Sequence, residues 1–298
     1  KWNKIKINRA DAIKFYKSIS YKNQLKDLND GSSAPGNQDN YIINYLKKKN
    51  LLNSDDVLIN GSTGDFISGG HVLNEVDNFI PINFKNNKLD PIVNKYIEKH
   101  YLLWGELFNN KNKNKISNLV KSNILKIIDD KSDFFYPYGI LETLEYENRQ
   151  AKYVANMQKA YDFNNIDWQM PLWDKSYAQF WSNVPPLFKV NQNLYKTTLY
   201  EMNMGGVWSK EWSFPYKPYK NLISILRNFS KIFFIFNGKS KWSKIDRKYF
   251  LYWFDIICAY YAIPYKKIIL NSNDPRNSVS WNVLESEKIL FGSNWQDK

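Results

Sequence analysis

The apolar positions of the chain change period between Asn40 and Asn60. In "NYIINYLKKKNLL" Ile42, Ile43 and Leu46 recur at helical spacing, "NSDD" closes the segment, and "VLIN" from Val57 to Asn60 reads as a short strand. A strand this short and apolar belongs in a buried parallel sheet. Helix, turn, strand and glycine loop in that order form one wing of an α/β sheet. The loop is Gly61-Ser62-Thr63-Gly64-Asp65, and Gly69, Gly70 and His71 follow it.

From Leu89 onward the pattern predicts mostly helix. "PYGI" from Pro137 and "KIFFIF" from Lys231 suit a strand or a helix equally, and the Asn- and Lys-rich run from Asn109 to Ser117 reads as a solvated loop. Between Leu141 and Tyr161, Leu141, Leu144, Ala151 and Ala155 fall on one helical face interrupted by Asn148, with Glu145, Arg149 and Lys152 elsewhere. Glu145 and Arg149 stand in the favourable order four apart, a pair contributing ~0.3 kcal/mol. Asp174 is placed to cap a helix from Lys175, which Val184-Pro185-Pro186 ends. The expected organisation is an α/β portion over residues 1–88 and a mostly helical region over 89–298 with an aromatic-rich C-terminal third.

The formal charge of +13 invites an anionic partner, but only five of the 42 basic residues are Arg. Arg is the side chain whose planar fork suits phosphates and base edges, so the excess reads as surface Lys rather than a nucleic-acid face. Cys258 is the single cysteine, which excludes an intrachain disulfide, and it reads as an inert thiol in an apolar run. His71 and His100 are the only histidines, too few for a His-rich zinc site. Charged residues break the apolar runs short of the ~20 residues of a membrane span, and a cytoplasmic protein is expected.

After a strand, small residues let the backbone turn sharply and expose amide N–H groups to an anion. Asp65 then brings a carboxylate to the edge where open α/β sheets bind ligands, and there it can hold the Mg²⁺ that binds phosphate. An ordinary strand-to-helix turn with Asp65 as the next helix cap accounts for the same residues. No Gly-Lys-Ser/Thr follows, so the loop is not a Walker loop.

The segment resembles the loop of the asparagine synthetase C-terminal domain family, G-E-G-S-D-E-L-F-G-G-Y, with Gly61, Asp65, Gly69 and Gly70 agreeing. A second landmark of that family, R-x-P-F-L-D before an apolar helix and L-P, is matched by Gln169-Met170-Pro171-Leu172-Trp173-Asp174. A third, K-x-x-L-R, is matched at Lys196 and Leu199. The resemblance covers Asp55 to Glu201. It implies a partial Rossmann-like sheet of the PP-loop ATP-pyrophosphatase type and an ATP- and Mg²⁺-dependent ligase. Such an enzyme adenylates its acceptor, releases pyrophosphate and lets ammonia displace AMP. The nucleotide-binding residues it implies are Gly61, Ser62, Thr63, Gly64 and Asp65, with Asp65 as the metal ligand and Lys196 neutralising phosphate charge.

The departures narrow that expectation. Ser62 replaces the family's Glu, Phe66 its second acidic residue and Gln169 its Arg, so the acceptor pocket differs from an aspartate pocket. Asparagine synthase-like proteins of bacterial surface-polysaccharide genes share G-x-x-G-D-F-I-S-G-x-H, which makes a sugar a candidate acceptor. A separate glutaminase or other ammonia source is the expected partner. Alternatives are a PP-loop tRNA-modifying ligase and a non-catalytic homologue, while Gln38 and Asp39 are placed near a nucleotide on position alone. S-G-G-x-D-S does not occur in these residues, and the family places it upstream. The reading frame before Lys1 is therefore expected to encode it; a start codon immediately upstream without that loop defeats the expectation of an intact enzyme.

Overall fold

The structure is a computed structural model that describes residues 8–28, 37–71, 79–83, 89–101, 110–128, 134–208 and 221–250, with isolated residues beyond. In chain order the helices α1 (Arg9–Tyr16), α2 (Ile19–Leu28) and α3 (Asn37–Lys48) precede β1 (Val57–Ile59) and the single turn α4 (Gly64–Ile67). β2 (Ile82–Asn83), α5 (Asp90–His100), α6 (Asn110–Ile127), β3 (Phe134–Phe135) and α7 (Pro137–Leu144) follow. A π-helical segment, Glu145–Val154, continues α7 into α8 (Ala155–Met157), α9 (Lys159–Phe163) and β4 (Asp167–Gln169). A 3₁₀ turn, Pro171–Trp173, then leads to α10 (Lys175–Asn183), α11 (Pro186–Lys189), α12 (Asn193–Met202), α13 (Asn221–Ile235) and α14 (Lys239–Tyr249).

The fold is mixed α/β, with helices predominating. β1 and β4 run parallel, Leu58 opposite Trp168, and the Asn60 amide extends the ladder to Gln169 O at 3.1 Å. The expected strand is thus present and parallel, but it is not buried on both faces. Val57 and Ile59 are exposed, and Leu58 and Trp168 alone turn onto the layer of Ile43, Leu52, Tyr161 and Ile166. β2 and β3 form a separate antiparallel pair, Ile82 opposite Phe135.

The largest core cluster lies among α5, α6 and α7, built from Ile92, Val93, Tyr96 and Ile97 against Val120, Ile124, Ile140 and Leu144. This packing corrects the loop expected over Asn109–Ser117. Ile116, Val120 and Ile124 recur every four residues and dock on α5, so burial of one stripe holds a polar, Asn-rich sequence helical from Asn110. "PYGI" lies in α7 and "KIFFIF" in and just beyond α13, both helical. α13 is clamped to α14 by Arg227, whose guanidinium reaches both oxygens of Asp246 at 2.6 Å. Among the described residues no helix is long and apolar enough to cross a membrane.

Two glycines separate packing from propensity. Gly69 has φ +98°, and a Cβ there would lie 2.1 Å from the backbone oxygen of Lys189, whereas a Cβ on Gly139 in α7 meets nothing within 4 Å. Gly69→Ala is expected to destabilise by at least ~2 kcal/mol in urea unfolding. Gly139→Ala is expected to stabilise by ~0.5 kcal/mol in the same measurement.

Candidate functional site

β1 and β4 end at the same edge, and each chain leaves it through a tight turn. Asn60 organises the first: its Oδ1 accepts from Ser62 N–H at 3.0 Å and its Nδ2 donates to Gln158 Oε1 at 2.5 Å. Thr63 is then forced to φ +71°, a strained conformation for a buried β-branched residue, and its hydroxyl donates to Ser62 O. A Cβ on Gly64 would lie 2.4 Å from Leu172 Cδ1, so the turn after β1 rests directly on the turn after β4. Gln192 closes the third side by donating from Nε2 to Ser68 Oγ at 2.7 Å. The segments Gly61–His71 and Gln169–Asp174 therefore meet at one sheet edge, and Gln192–Tyr195 packs against the first of them. Within the first turn, the amides of Ser62 and Gly64 are already directed to Asn60 Oδ1 and Gly61 O.

Asp65 stands in the first turn of α4 with its side chain 58% exposed. It is not the helix cap, since Thr63 holds that position. Its Oδ1 accepts from Phe66 N–H at 2.9 Å, and its Oδ2 faces His71 Nε2 at 3.0 Å. On its other side His71 meets Glu145, Nδ1 to Oε1 at 2.5 Å. The second oxygen of Glu145 faces His100 Nε2 at 2.8 Å and Lys99 Nζ at 3.0 Å. The two histidines of the chain thus converge on one carboxylate that is 3% exposed.

With a carboxylate at each ring nitrogen, His71 is satisfied as an imidazolium that donates twice. Arg149 Nη1 lies 3.2 and 3.3 Å from the two ring nitrogens, nearly equidistant, which sets it over the ring rather than in its plane. The hydrogen bond from His71 holds the Asp65 carboxyl below the usual carboxylate range against the opposing effect of burial, with Arg149 adding to it. Burial would lower His71, but Asp65 and Glu145 together raise it above its ordinary value. Burial would likewise raise Glu145, and the two histidines and Lys99 overcome this and hold it strongly ionised.

Glu145 was hidden by its helix type. Residues five apart share a face where hydrogen bonds run i→i+5, and in Glu145–Val154 the buried positions are Glu145, Gln150 and Val154. The face expected from α-helical spacing is corrected accordingly: Leu144 is buried, but Ala151 and Ala155 are exposed and line a concavity of about 660 Å³. That concavity lies between the π-helix and the ends of β1 and β4, with Thr63, Tyr146, Trp168 and Trp173 in its walls.

No family model, curated protein or solved structure matches the chain. Function is accordingly read from the residues and their geometry.

The remaining candidates fall as follows. Lys196 in α12 is exposed and donates to Asn191 O at 2.8 Å, and none of its described contacts reaches Asp65. The cations acting on Asp65 are His71 and Arg149. Asp174 caps α10 by accepting from Ser176 N–H at 2.8 Å. Asp39 accepts from Tyr161 OH at 3.2 Å. The Gln38 side chain, Cys258, Trp253, Trp281 and Trp295 lie outside the described residues, and Trp242 is buried.

The ion network has a pH signature. Glu145 is depressed in the fold, so its contribution is present above its ordinary 4.5 and fades as pH falls below that value. His71 is raised, so its contribution is complete below its ordinary 6.5 and is lost as pH rises through the raised value. The stability of the network is therefore expected to be greatest between these limits. In thermal unfolding across pH, Glu145→Gln should shrink the acid-side loss relative to wild type, and His71→Gln the alkaline-side loss.

Proposed function

We propose that the chain carries the aspartate-bearing part of an ATP-dependent ligase of the asparagine synthetase type, built on a Rossmann-like PP-loop sheet. The supporting observation is the meeting of two motif segments, Gly61–His71 and Gln169–Asp174, at the C-terminal edge of a parallel strand pair with an ionised, half-exposed Asp65 beside it, and the tie through Gln192 to the helix that carries Lys196. Ligands of open α/β sheets bind at that edge. In such a reaction an acceptor oxygen displaces pyrophosphate from the α-phosphorus of ATP, and ammonia then displaces AMP to form the C–N bond.

Among the described residues no group of three or more His, Cys, Asp or Glu side chains is arranged to hold a metal. Asp65 keeps a free lone pair on each carboxylate oxygen, which fits a Mg²⁺ that arrives with nucleotide phosphates and retains its waters, not a resident ion. When bound, the ion would neutralise charge on the departing pyrophosphate. His71 orients the Asp65 carboxylate through Oδ2, and Glu145 holds His71 from behind. Arg149 adds positive charge beside Asp65. Lys196 would join the phosphates by releasing its hydrogen bond to Asn191 O, at a cost of ~1 kcal/mol.

Ammonia is supplied by a separate glutaminase or another source, and a sugar of surface-polysaccharide synthesis is the acceptor class. Both steps are assigned to the cytoplasm, where ATP is available. The test is pyrophosphate release from ATP by the full-length protein. Asp65→Asn and Lys196→Ala are each expected to lower it by about 100-fold. Activity equal to wild type in both variants rules out these roles, and ATP-independent binding of tRNA would point to a nucleic-acid partner instead.

A further inference from the structure

In α13 the apolar residues Leu222, Ile225, Leu226, Phe229, Ile232 and Phe233 recur every three or four positions and form one stripe along a 15-residue helix. A stripe of this period ordinarily faces a core. Here its six residues are each 52–69% exposed, and Phe236, the first residue past the helix, is 86% exposed. α14 lies on another side of α13. Arg227, which pairs with Asp246, stands on the face opposite the stripe, and Ile223 and Ile235, apolar residues off the stripe, are half-buried. A contiguous apolar patch, unlike scattered surface residues, marks a surface that meets a partner.

The charge that accompanies this stripe is of one sign. From 221 to 250 the chain carries seven Lys or Arg residues and one acidic residue, Asp246, which Arg227 already engages at 2.6 Å. Lys231, Lys239, Lys241 and Lys244 are exposed and form no ion pair among the described residues. We propose that the α13–α14 hairpin docks on an anionic lipid bilayer, with α13 lying in the plane of the surface and its stripe in the boundary between headgroups and acyl chains.

An apolar helix face within a basic hairpin matches such a surface on both counts. Burial of the stripe supplies the hydrophobic part of the attraction, and the lysines add a part directed at lipid phosphates. The helix lies on the bilayer and does not cross it, since 15 residues extend about 22 Å, short of the ~30 Å hydrocarbon core. A second copy of the chain would cover the stripe but set two cationic hairpins against each other. A nucleic acid would meet the lysines and leave the Leu and Ile side chains of the stripe in water.

Docking needs neither ATP nor Asp65, so its test is separate from that of the ligase reading. The full chain is sedimented with vesicles of phosphatidylcholine alone, and of phosphatidylcholine and phosphatidylglycerol in equal parts, in the absence of nucleotide. It is expected to bind the anionic vesicles at least about tenfold more tightly. Raising the ionic strength from ~0.1 M to ~1 M shortens the Debye length from about 10 Å to about 3 Å and should remove most of that preference.

Phe229 and Phe233 stand edge to face within the stripe, their centroids 4.9 Å apart. Replacing both, Phe229→Ser with Phe233→Ser, should weaken binding to anionic vesicles by about tenfold or more. Lys241→Gln with Lys244→Gln should weaken it by about fivefold per lysine. The lysine pair leaves the stripe untouched, so it reports on the docking even if the Phe pair fails to fold. Asp65→Asn should bind vesicles as wild type does. Equal binding to both kinds of vesicle, or undiminished binding by the Phe pair, overturns the proposal. So does self-association without lipid that the Phe pair abolishes, which would make a second copy the occupant. Salt-sensitive tRNA binding without vesicle binding would assign the hairpin to nucleic acid and overturn it as well.

Discussion

A carboxylate taken out of water must be met by positive charge or hydrogen-bond donors, and at Glu145 that demand organises the site. Its oxygens draw His71 from the loop after α4, Lys99 and His100 from the end of α5, and Arg149 from its own helix. Three parts of the chain are thereby tied at one point. Removing the carboxylate would leave its cations crowded together, and removing a cation would leave the carboxylate under-compensated. The exposed Asp65 inherits its setting from this arrangement, because the His71 that faces it is held from behind by Glu145.

A second constraint is steric. Gly64 against Leu172 and Gly69 against the Lys189 backbone leave no room for a side chain, so the turns after β1 and β4 lock together and the end of α11 packs on the loop after α4. Thr63 pays for this closeness with a left-handed backbone. Strain at Thr63 and the unpaired amide of Gln150 lie on the walls of the same concavity. Two local rules are broken on the walls of one concavity, a pattern expected where a fold serves something besides stability.

Much of the local structure was legible. Val57–Asn60 as a parallel strand, the turn at Gly61, the Asp174 cap and the helix ending before Val184 all follow from short-range chemistry, and each is present. The helix at Asn110–Ile127 was not legible at its start, because its polar residues have weak helical preference and only docking on α5 holds them. The exposure of Val57 and Ile59 was equally hidden, since an apolar run shows that burial is favourable and not what covers it.

By itself the sequence determined the elements whose causes lie within a few residues: apolar spacing, turn-forming glycines, a capping aspartate, and motif segments able to face one another. It also determined that only two histidines exist to be used. Only the tertiary structure decided that both meet Glu145, that Lys196 turns to Asn191 while Arg149 stands by Asp65, and that Gln150 is buried without partners. The reason is physical: a π-helical register changes which residues share a face, and the pairing of charges across long stretches of chain depends on packing that no local period encodes.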